Sequence, residues 1–121
     1  MAVPVHLLIV DDHAQVRLAL AQRLSRVPEA VILAAVPDVS SAVPLVRSLH
    51  PDVVLYEPKA TGHLLTNELG QLLAAGRPVV VWTSWLEGNE AADFLRAGAR
   101  AVLLKDTNIS SLIEKLASIA L

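Results

Sequence analysis

The chain has 121 residues, a formal net charge of -2 and a composition that is 54% hydrophobic and 18% charged. This length is that of one domain, so we expect a single folded unit over residues 1–121 and no disordered chain. The near-neutral charge gives no sign of nucleic-acid or membrane binding by the domain itself, and the lack of cysteine excludes disulfides and thiolate metal sites and favours the cytoplasm.

The apolar segments are too short for a membrane protein. They are about five to seven residues long, whereas crossing a bilayer takes roughly 20. The N-terminus has no basic segment followed by a long apolar stretch. We therefore expect neither a membrane span nor a secretory signal.

Five short apolar runs alternate with five longer amphipathic stretches, which is the pattern of repeated βα units. The first strand is predicted from Val5 to Val10, because a branched, unalternating run is typical of a strand covered on both faces. The first helix follows it and ends near Pro28, with Val16, Leu20 and Leu24 on its apolar face.

Proline sets the predicted start of the second helix. The second strand is predicted from Val31 to Val36. Because Pro44 is tolerated only in a first turn, we expect the helix after it to begin at Ser40 or Ser41.

The remaining elements follow the same alternation. The third helix has a leucine stripe and ends at Gly76, and the last helix is capped by Asn108. The predicted elements are the third strand at Val53 to Tyr56, the stripe of Leu64, Leu65, Leu69, Leu72 and Leu73, the fourth strand at Pro78 to Trp82, the fourth helix at about Asn89 to Ala97, the fifth strand at Ala101 to Leu104 and the last helix at Ile109 to Ala120.

Sequential βα units imply an α/β fold in which a five-stranded parallel sheet has helices on both faces. Sites in such folds lie beyond the carboxyl ends of the strands. The polar residues that follow these ends are Asp11, Asp12, Glu57, Thr83, Ser84 and Lys105. Three carboxylates together require a cation, such as Mg²⁺ with a lysine ammonium, and the combination suits phosphoryl chemistry.

Four segments carry a resemblance to a known family: Leu8 to His13, Pro51 to Glu57, Val81 to Ser84 and Gly98 to Asp106. In order and spacing they resemble the receiver domains of two-component response regulators, most closely the NarL/LuxR type, over about residues 5 to 120. The resemblance implies the doubly wound (βα)5 flavodoxin-like fold. It also implies a homodimer, and DNA binding only through a C-terminal helix-turn-helix domain that these residues do not include.

In that family an acidic pair binds Mg²⁺, an aspartate ending the third strand takes phosphate from a histidine kinase, and a hydroxyl and a lysine read the phosphorylated state. Carried over, the resemblance implies Glu57 in the phosphoacceptor place, metal binding by Asp11, Asp12, Glu57 and Lys59, and phosphate reading by Thr83 and Lys105.

The acceptor place departs from the family, because Glu57 replaces aspartate. One more methylene moves the carboxylate by more than about 1 Å, and in-line transfer is sensitive to such a displacement. We expect little or no phosphorylation, no productive histidine kinase, and Mg²⁺ binding that is weak or absent. Asp52 begins the same strand and lies too far away to substitute.

Two further departures affect the switch. Pro58 follows Glu57 directly where the family usually has methionine and then proline, and Val102 replaces an aromatic residue of the fifth strand. One hypothesis is that Glu57 directs its charge toward Thr83 and Lys105 and holds an active-like state. The other is a relaxed receiver controlled by protein contacts or a small ligand.

Several residues have plainer interpretations. Asp11 and Asp12 suit a solvated turn in which Asp12 caps the helix, Thr83 suits a turn cap, and Lys105 an ordinary surface lysine. Trp82 is predicted in the core. The histidines lack ligand spacing, and we treat His6, His13, His50 and His63 as surface residues.

Two features suggest an interface. Trp85 follows the fourth strand in a loop and is a candidate anchor. The last helix has more apolar area than one core-facing stripe needs, which indicates either simple burial or a surface for a dimer or a following domain. The helix residues concerned are Ile109, Leu112, Ile113 and Leu116.

The function predicted from these residues is a regulatory domain without enzyme activity that controls transcription through an output domain. We favour a piece of a longer regulator over a stand-alone pseudo-receiver. A metal-dependent phosphohydrolase is the rival enzyme, but it requires an acceptor aspartate and a cap. A cofactor-binding flavodoxin-like domain lacks support, because no glycine-rich phosphate loop is present and Val16 stands where a cobalamin motif requires glycine.

Overall fold

The structure, a computed structural model, describes residues 3–58, 64–84, 86 and 88–120. Strands and helices alternate throughout, which confirms the predicted α/β fold class. The elements are β1 (Val5–Val10), α1 (Ala14–Ser25), β2 (Ala30–Val36), α2 (Val39–Leu49), β3 (Val53–Tyr56), α3 (Leu64–Ala74), β4 (Val79–Thr83), α4 (Glu90–Ala97), β5 (Ala101–Leu104) and α5 (Ile109–Ala120).

The five strands form one parallel sheet in the order β2-β1-β3-β4-β5. Successive residues of a strand face opposite sides, so Leu7 and Ile9 pack with α1 and α5, whereas Leu8 and Val10 pack with α2, α3 and α4. The strand order reverses between β1 and β3. Their carboxyl ends therefore meet where such folds place their sites.

The helix after β2 begins earlier than predicted. Asp38 is its N-cap, and the Oδ1 atom of Asp38 accepts a hydrogen bond of 2.8 Å from the backbone N–H of Ser41. Ser40 and Ser41 therefore lie inside the first turn, and the predicted start at either of them is wrong. Pro44 lies within the helix, and its side is exposed. The aspartate cap satisfies a backbone donor at this start, and it fixes the beginning of the helix ahead of the proline.

Replacing Pro44 with alanine is expected to stabilise the protein by about 2 kcal/mol. Proline is about 3 kcal/mol less favourable than alanine inside a helix, and its lower entropy in the unfolded chain offsets about 0.4–1 kcal/mol. Urea unfolding of Pro44→Ala measures the effect, with Pro37→Ala before the cap as the control. An unchanged or smaller free energy of unfolding for Pro44→Ala would contradict a helix that runs through residue 44.

The helices α1 and α5, which pack with Leu7 and Ile9, differ from their predicted patterns. In α1, Leu20 and Leu24 are buried as predicted, but Val16 is 42% exposed and does not belong to the core face. The buried residues of α1, Leu20 and Leu24, both lie in the second half of the helix.

The apolar side chains of α5 are used by the chain's own core. Leu112 and Leu116 are fully buried, Ile113 is 9% exposed, and Ile109 packs partly buried against the same cluster. The proposed interface role of Leu112, Ile113 and Leu116 is therefore corrected, because buried side chains offer a partner no surface. Asn108 caps this helix as predicted, with its Oδ1 atom 2.8 Å from the N–H of Ser111.

Within the described part of the chain, no helix has the length and apolar character needed to cross a membrane.

Candidate functional site

The residues directly after the strands are held by extensions of the sheet's hydrogen bonding. The backbone N–H of Asp11 donates to Val36 (3.0 Å), that of Glu57 to Val10 (2.9 Å) and that of Lys105 to Thr83 (2.9 Å). Each site residue thus continues the ladder for one position beyond its strand. Its side chain begins from a backbone position that the sheet itself determines.

Lys105 joins two of the carboxylates. Its Nζ atom lies 2.7 Å from Asp11 Oδ2 and 3.3 Å from Glu57 Oε1. Asp11 is almost fully buried, and the Lys105 side chain is 16% exposed. The prediction that these three residues converge at the carboxyl edge of the sheet is confirmed. The two ion pairs and the low exposure of the Lys105 side chain also exclude the plainer interpretation of Lys105 as an ordinary surface lysine.

One carboxylate oxygen of Glu57 is paired with Lys105, and the other has no hydrogen-bond partner among the described residues. Oε1 accepts a long hydrogen bond of 3.4 Å from the backbone N–H of Ser84. Oε2 is buried and has no hydrogen-bond partner among the described residues, and the side chain as a whole is 9% exposed. A buried carboxylate oxygen without a donor is unfavourable unless a positive charge or a donor approaches it.

The end of β4 forms one wall of the site. Trp82 is buried, as predicted, and its indole Nε1–H donates to the backbone oxygen of Leu104 over 3.1 Å. The Lys105 ammonium lies 5.8 Å from the centre of the Trp82 ring, within the range of a cation–π interaction. Thr83, the last residue of β4, is buried beside it. The Lys105 ammonium is therefore held by the Trp82 ring as well as by the carboxylates of Asp11 and Glu57.

His13 is exposed, as predicted, with 68% of its side chain accessible, and its ring contacts the acidic pair. Its Nδ1 atom lies 3.0 Å from Asp12 Oδ1 and 3.2 Å from Asp11 Oδ1, and its backbone N–H donates to Asp11 Oδ1 over 2.9 Å. His13 is also the N-cap residue of α1, so Asp12 does not have the capping position. His13 is adjacent to the acidic pair in the sequence, but the turn that brings its ring to both carboxylates cannot be predicted from spacing.

A narrow cleft borders Glu57, Asp12 and Tyr56. Tyr56 donates its hydroxyl hydrogen bond to Glu68 Oε2 there, over 2.9 Å. Burial raises the pKa of Tyr56, and the hydrogen bond and charge of Glu68 raise it further. Nothing in the sequence distinguishes Glu68 from other helix-surface acids. The residues that line this cleft are Val10, Asp12, Pro37, Asp38, Val39, Tyr56, Glu57 and Glu68.

The charged partners of Asp11 make it a stronger acid. Burial is the largest single influence and raises its pKa, but the hydrogen bond from Lys105, the backbone N–H of His13 and the lysine charge together lower the pKa below 3.8. Because the folded-state pKa is depressed, the stability that Asp11 contributes is present above its unfolded pKa and is lost as the pH falls through the folded value.

Stability is therefore expected to fall as the pH drops below about 3.8, and Asp11→Asn should flatten this part of the curve. Urea unfolding at a series of acidic pH values measures the slope for the native chain and the variant. Identical slopes for the two proteins would show that Asp11 is not held as an anion by Lys105.

Asp52 lies at the opposite edge of the sheet, as predicted. Its Oδ2 atom accepts a hydrogen bond of 2.8 Å from the N–H of His6, near the start of β1. The predicted roles of Lys59 in metal binding and of Trp85 at an interface, and the predicted surface position of His63, fall on residues outside the described ranges.

Residues 7–117 match the family model of the response regulator receiver domain. The chain belongs to this family. Its relatives include the nitrate/nitrite response regulator NarL of Escherichia coli (strain K12), which is 28% identical over 116 residues, with 93% of this chain and 53% of NarL covered. The transcriptional regulatory protein LiaR of Bacillus subtilis (strain 168) is 27% identical over 113 residues, with 91% and 53% covered.

A different kind of protein also matches this receiver domain. A protein-glutamate methylesterase/protein-glutamine glutaminase of Geobacter metallireducens is 36% identical over 96 residues, which cover 77% of this chain and 27% of that protein. The chain thus spans about half the length of NarL and LiaR and less of the methylesterase.

Solved structures show the same fold. The LuxR-family two-component response regulator of Aurantimonas sp. SI85-9A1 superposes with a TM-score of 0.83 at 21% identity, over 97% of this receiver domain and 85% of that chain. The response regulator domain of Thermotoga maritima CheB gives a TM-score of 0.81 at 21% identity, over 97% and 96%.

Proposed function

We propose that this receiver domain acts without phosphorylation, with Glu57 in the phosphoacceptor place as a permanent anion. The observation that carries the proposal is the position of Lys105, whose ammonium lies 3.3 Å from Glu57 Oε1 and 2.7 Å from Asp11 Oδ2. Glu57 is the residue directly after β3 and next to the end of β1. In the family that this chain resembles, the phosphoacceptor aspartate has this position at the end of the third strand.

The environment of Glu57 opposes phosphoryl transfer. Its Oε1 atom is engaged by Lys105 and by the N–H of Ser84, and its Oε2 atom is buried. An attacking oxygen has to reach the phosphorus in line, and a displacement of about 1 Å costs about 100-fold in rate. A glutamate held in this way is a poor acceptor.

The same contacts favour an active-like resting state. The groups that approach Glu57 Oε1 come from the ends of β4 and β5, through Ser84 and Lys105. In the family these strand ends read the phosphorylated state. The carboxylate of Glu57 therefore supplies, in part, the negative charge that a phosphoryl group supplies elsewhere.

A comparison of the native chain with Glu57→Gln tests this state. If the anion maintains an active-like homodimer, sedimentation velocity should show a clearly smaller dimer fraction for Glu57→Gln at the same concentration. Glu114→Gln, which removes an exposed acid of α5, is the matched control and should leave the dimer fraction unchanged. Equal dimer fractions for the native chain and Glu57→Gln would contradict the active-like state.

The acidic side chains form the donor set for the magnesium ion that receiver domains bind, and Glu57 in place of aspartate makes the expected binding weak or absent. Asp11 and Asp12 lie together at the turn after β1 and supply carboxylate oxygens, the ligand type that Mg²⁺ prefers. Glu57 Oε2 is a buried carboxylate oxygen that has no donor among the described residues. These three residues would hold the ion, with Lys59 as a further contributor. When bound, the ion would neutralise the acidic pocket and phosphate oxygens near it.

We propose transcriptional control as the output, through a domain that is not part of these 121 residues. NarL and LiaR are named as response and transcriptional regulators, and the chain covers about half of each. A non-enzymatic role for the receiver itself and a cytoplasmic location belong to the same proposal. The alternative is a pseudo-receiver that acts on another protein.

A further inference from the structure

A buried tyrosine directly before the acceptor place joins β3 to α3. The Tyr56 side chain is 1% exposed, and its hydroxyl donates to Glu68 Oε2 over 2.9 Å. A buried tyrosine hydroxyl needs a hydrogen-bond partner, and the partner here comes from a neighbouring helix. Glu68 is the only charged residue in the sequence of α3. The hydrogen bond therefore holds the charge of α3 beside the end of β3.

The carboxylates of the site surround the same hydroxyl. Asp12, Glu57 and Glu68 all line the narrow cleft beside it. Burial and the contact with Glu68 raise the pKa of Tyr56 most. The charges of Glu57 and Asp12 raise this pKa further, so both carboxylates act on the hydroxyl through space. Because like charges in one cleft repel each other, Tyr56 holds Glu68 in a position that the charge of Glu57 opposes.

The packing of α3 would pass a change in its position to α4. Leu72 is fully buried in the same apolar cluster as Tyr56. Near its end, α3 approaches α4 closely, because a Cβ atom on Gly98 would lie 2.8 Å from the Leu73 side chain. Closely packed interiors transmit strain because their compressibility is low. A shift of Glu68 with the helix would therefore reach the end of α4.

We propose that Tyr56 is a positioning residue that couples the charge at residue 57 to α3, with Glu68 as the group that responds. The hydroxyl holds Glu68 in the cleft, and the anion of Glu57 repels the carboxylate that is held there. The charge at residue 57 thus sets how firmly the first half of α3 is bound to the end of β3. The inference rests on the proposed function in one respect, that Glu57 is an anion at rest.

Amide hydrogen exchange of the full chain at neutral pH tests the coupling. The exchange of α3 is measured relative to that of α5, which reports any change in global stability. Glu57→Gln removes the repulsion, so α3 is expected to exchange at least about twofold more slowly, which is the lower end of couplings between groups in contact. In a Tyr56→Phe background Glu68 is no longer held, and Glu57→Gln is expected to have no measurable effect on α3.

Glu68→Gln is a second test background, which decides the matter if Tyr56→Phe does not fold. It keeps an oxygen acceptor for the tyrosine hydroxyl but removes the charge, so Glu57→Gln should again leave α3 unchanged. Glu29→Gln, at an exposed position before β2, is the matched control background, in which α3 should respond as in the native chain.

Two results would overturn the proposal. One is an equal response of α3 to Glu57→Gln in the native, Tyr56→Phe and Glu68→Gln backgrounds, which is the behaviour of a tyrosine that only satisfies its own hydroxyl. The other is the absence of any response of α3 in the native background. The dimer fraction of Glu57→Gln tests the proposed function separately, so a changed dimer fraction with an unresponsive α3 would refute the coupling alone.

Discussion

Glu57→Asp is expected to take up one phosphoryl group from acetyl phosphate in the presence of Mg²⁺, whereas the native chain is expected to take up none. The substitution removes one methylene and withdraws the carboxylate from Lys105 and Ser84, which in the native chain approach Glu57 Oε1 to 3.3 Å and 3.4 Å. Restored in-line geometry is worth about 100-fold or more in rate. Intact mass spectrometry detects the adduct directly.

Control variants test whether residue 57 is the site of phosphorylation. Glu57→Gln should remain unmodified, and adding Asp12→Asn to Glu57→Asp should slow uptake because it removes one of the implied metal ligands. Peptide mapping should place the phosphoryl group on residue 57. Uptake by the native chain at Glu57, or an adduct of Glu57→Asp at another residue, would contradict the proposed role of this position.

Lys105→Met is expected to destabilise the protein by about 3–5 kcal/mol, the range measured when one partner of a buried ion pair is removed. Asp11 is 1% exposed and would remain as a buried carboxylate without its 2.7 Å partner, and Glu57 would lose the same ammonium. Methionine preserves most of the apolar stem over Trp82, so the loss reports mainly on charge. Urea unfolding at neutral pH measures the free energy of unfolding.

Lys115→Met, at an exposed position of α5, should change stability by no more than about 0.5 kcal/mol. Combining Lys105→Met with Asp11→Asn should recover part of the loss, because the stranded charge is removed. A loss of less than about 1 kcal/mol for Lys105→Met would mean that its pairing is that of an ordinary surface lysine.

The fold could be predicted because apolar residues recur with different periods in strands and in helices. Fully buried runs such as Val53 to Tyr56 and Val79 to Thr83 are apolar on both faces, and they match the observed strands within one residue. The convergence of Asp11, Glu57 and Lys105 followed from parallel topology alone, since carboxyl ends of neighbouring strands meet at one edge.

The details that failed depend on single hydrogen bonds or on packing at long range. The start of α2 is set by the Asp38 side chain, and a rule about proline alone could not weigh that cap against Pro44. The apolar excess of α5 could not be assigned to the core or to an interface without knowing which residues pack beneath it. His13 is exposed as predicted, and only its contacts with Asp11 and Asp12 depend on the conformation of one turn, which the residue types leave open.

The most direct test of the central claim, that Glu57 is an anion held by Lys105 at the acceptor place, is a double-mutant cycle. The free energy of unfolding is measured for the native chain, Glu57→Gln, Lys105→Met and the double variant under one set of conditions. The pair in contact is expected to show a coupling energy of about 0.5–3 kcal/mol. A coupling energy indistinguishable from zero would contradict the pairing and, with it, the phosphorylation-independent state proposed for this receiver domain.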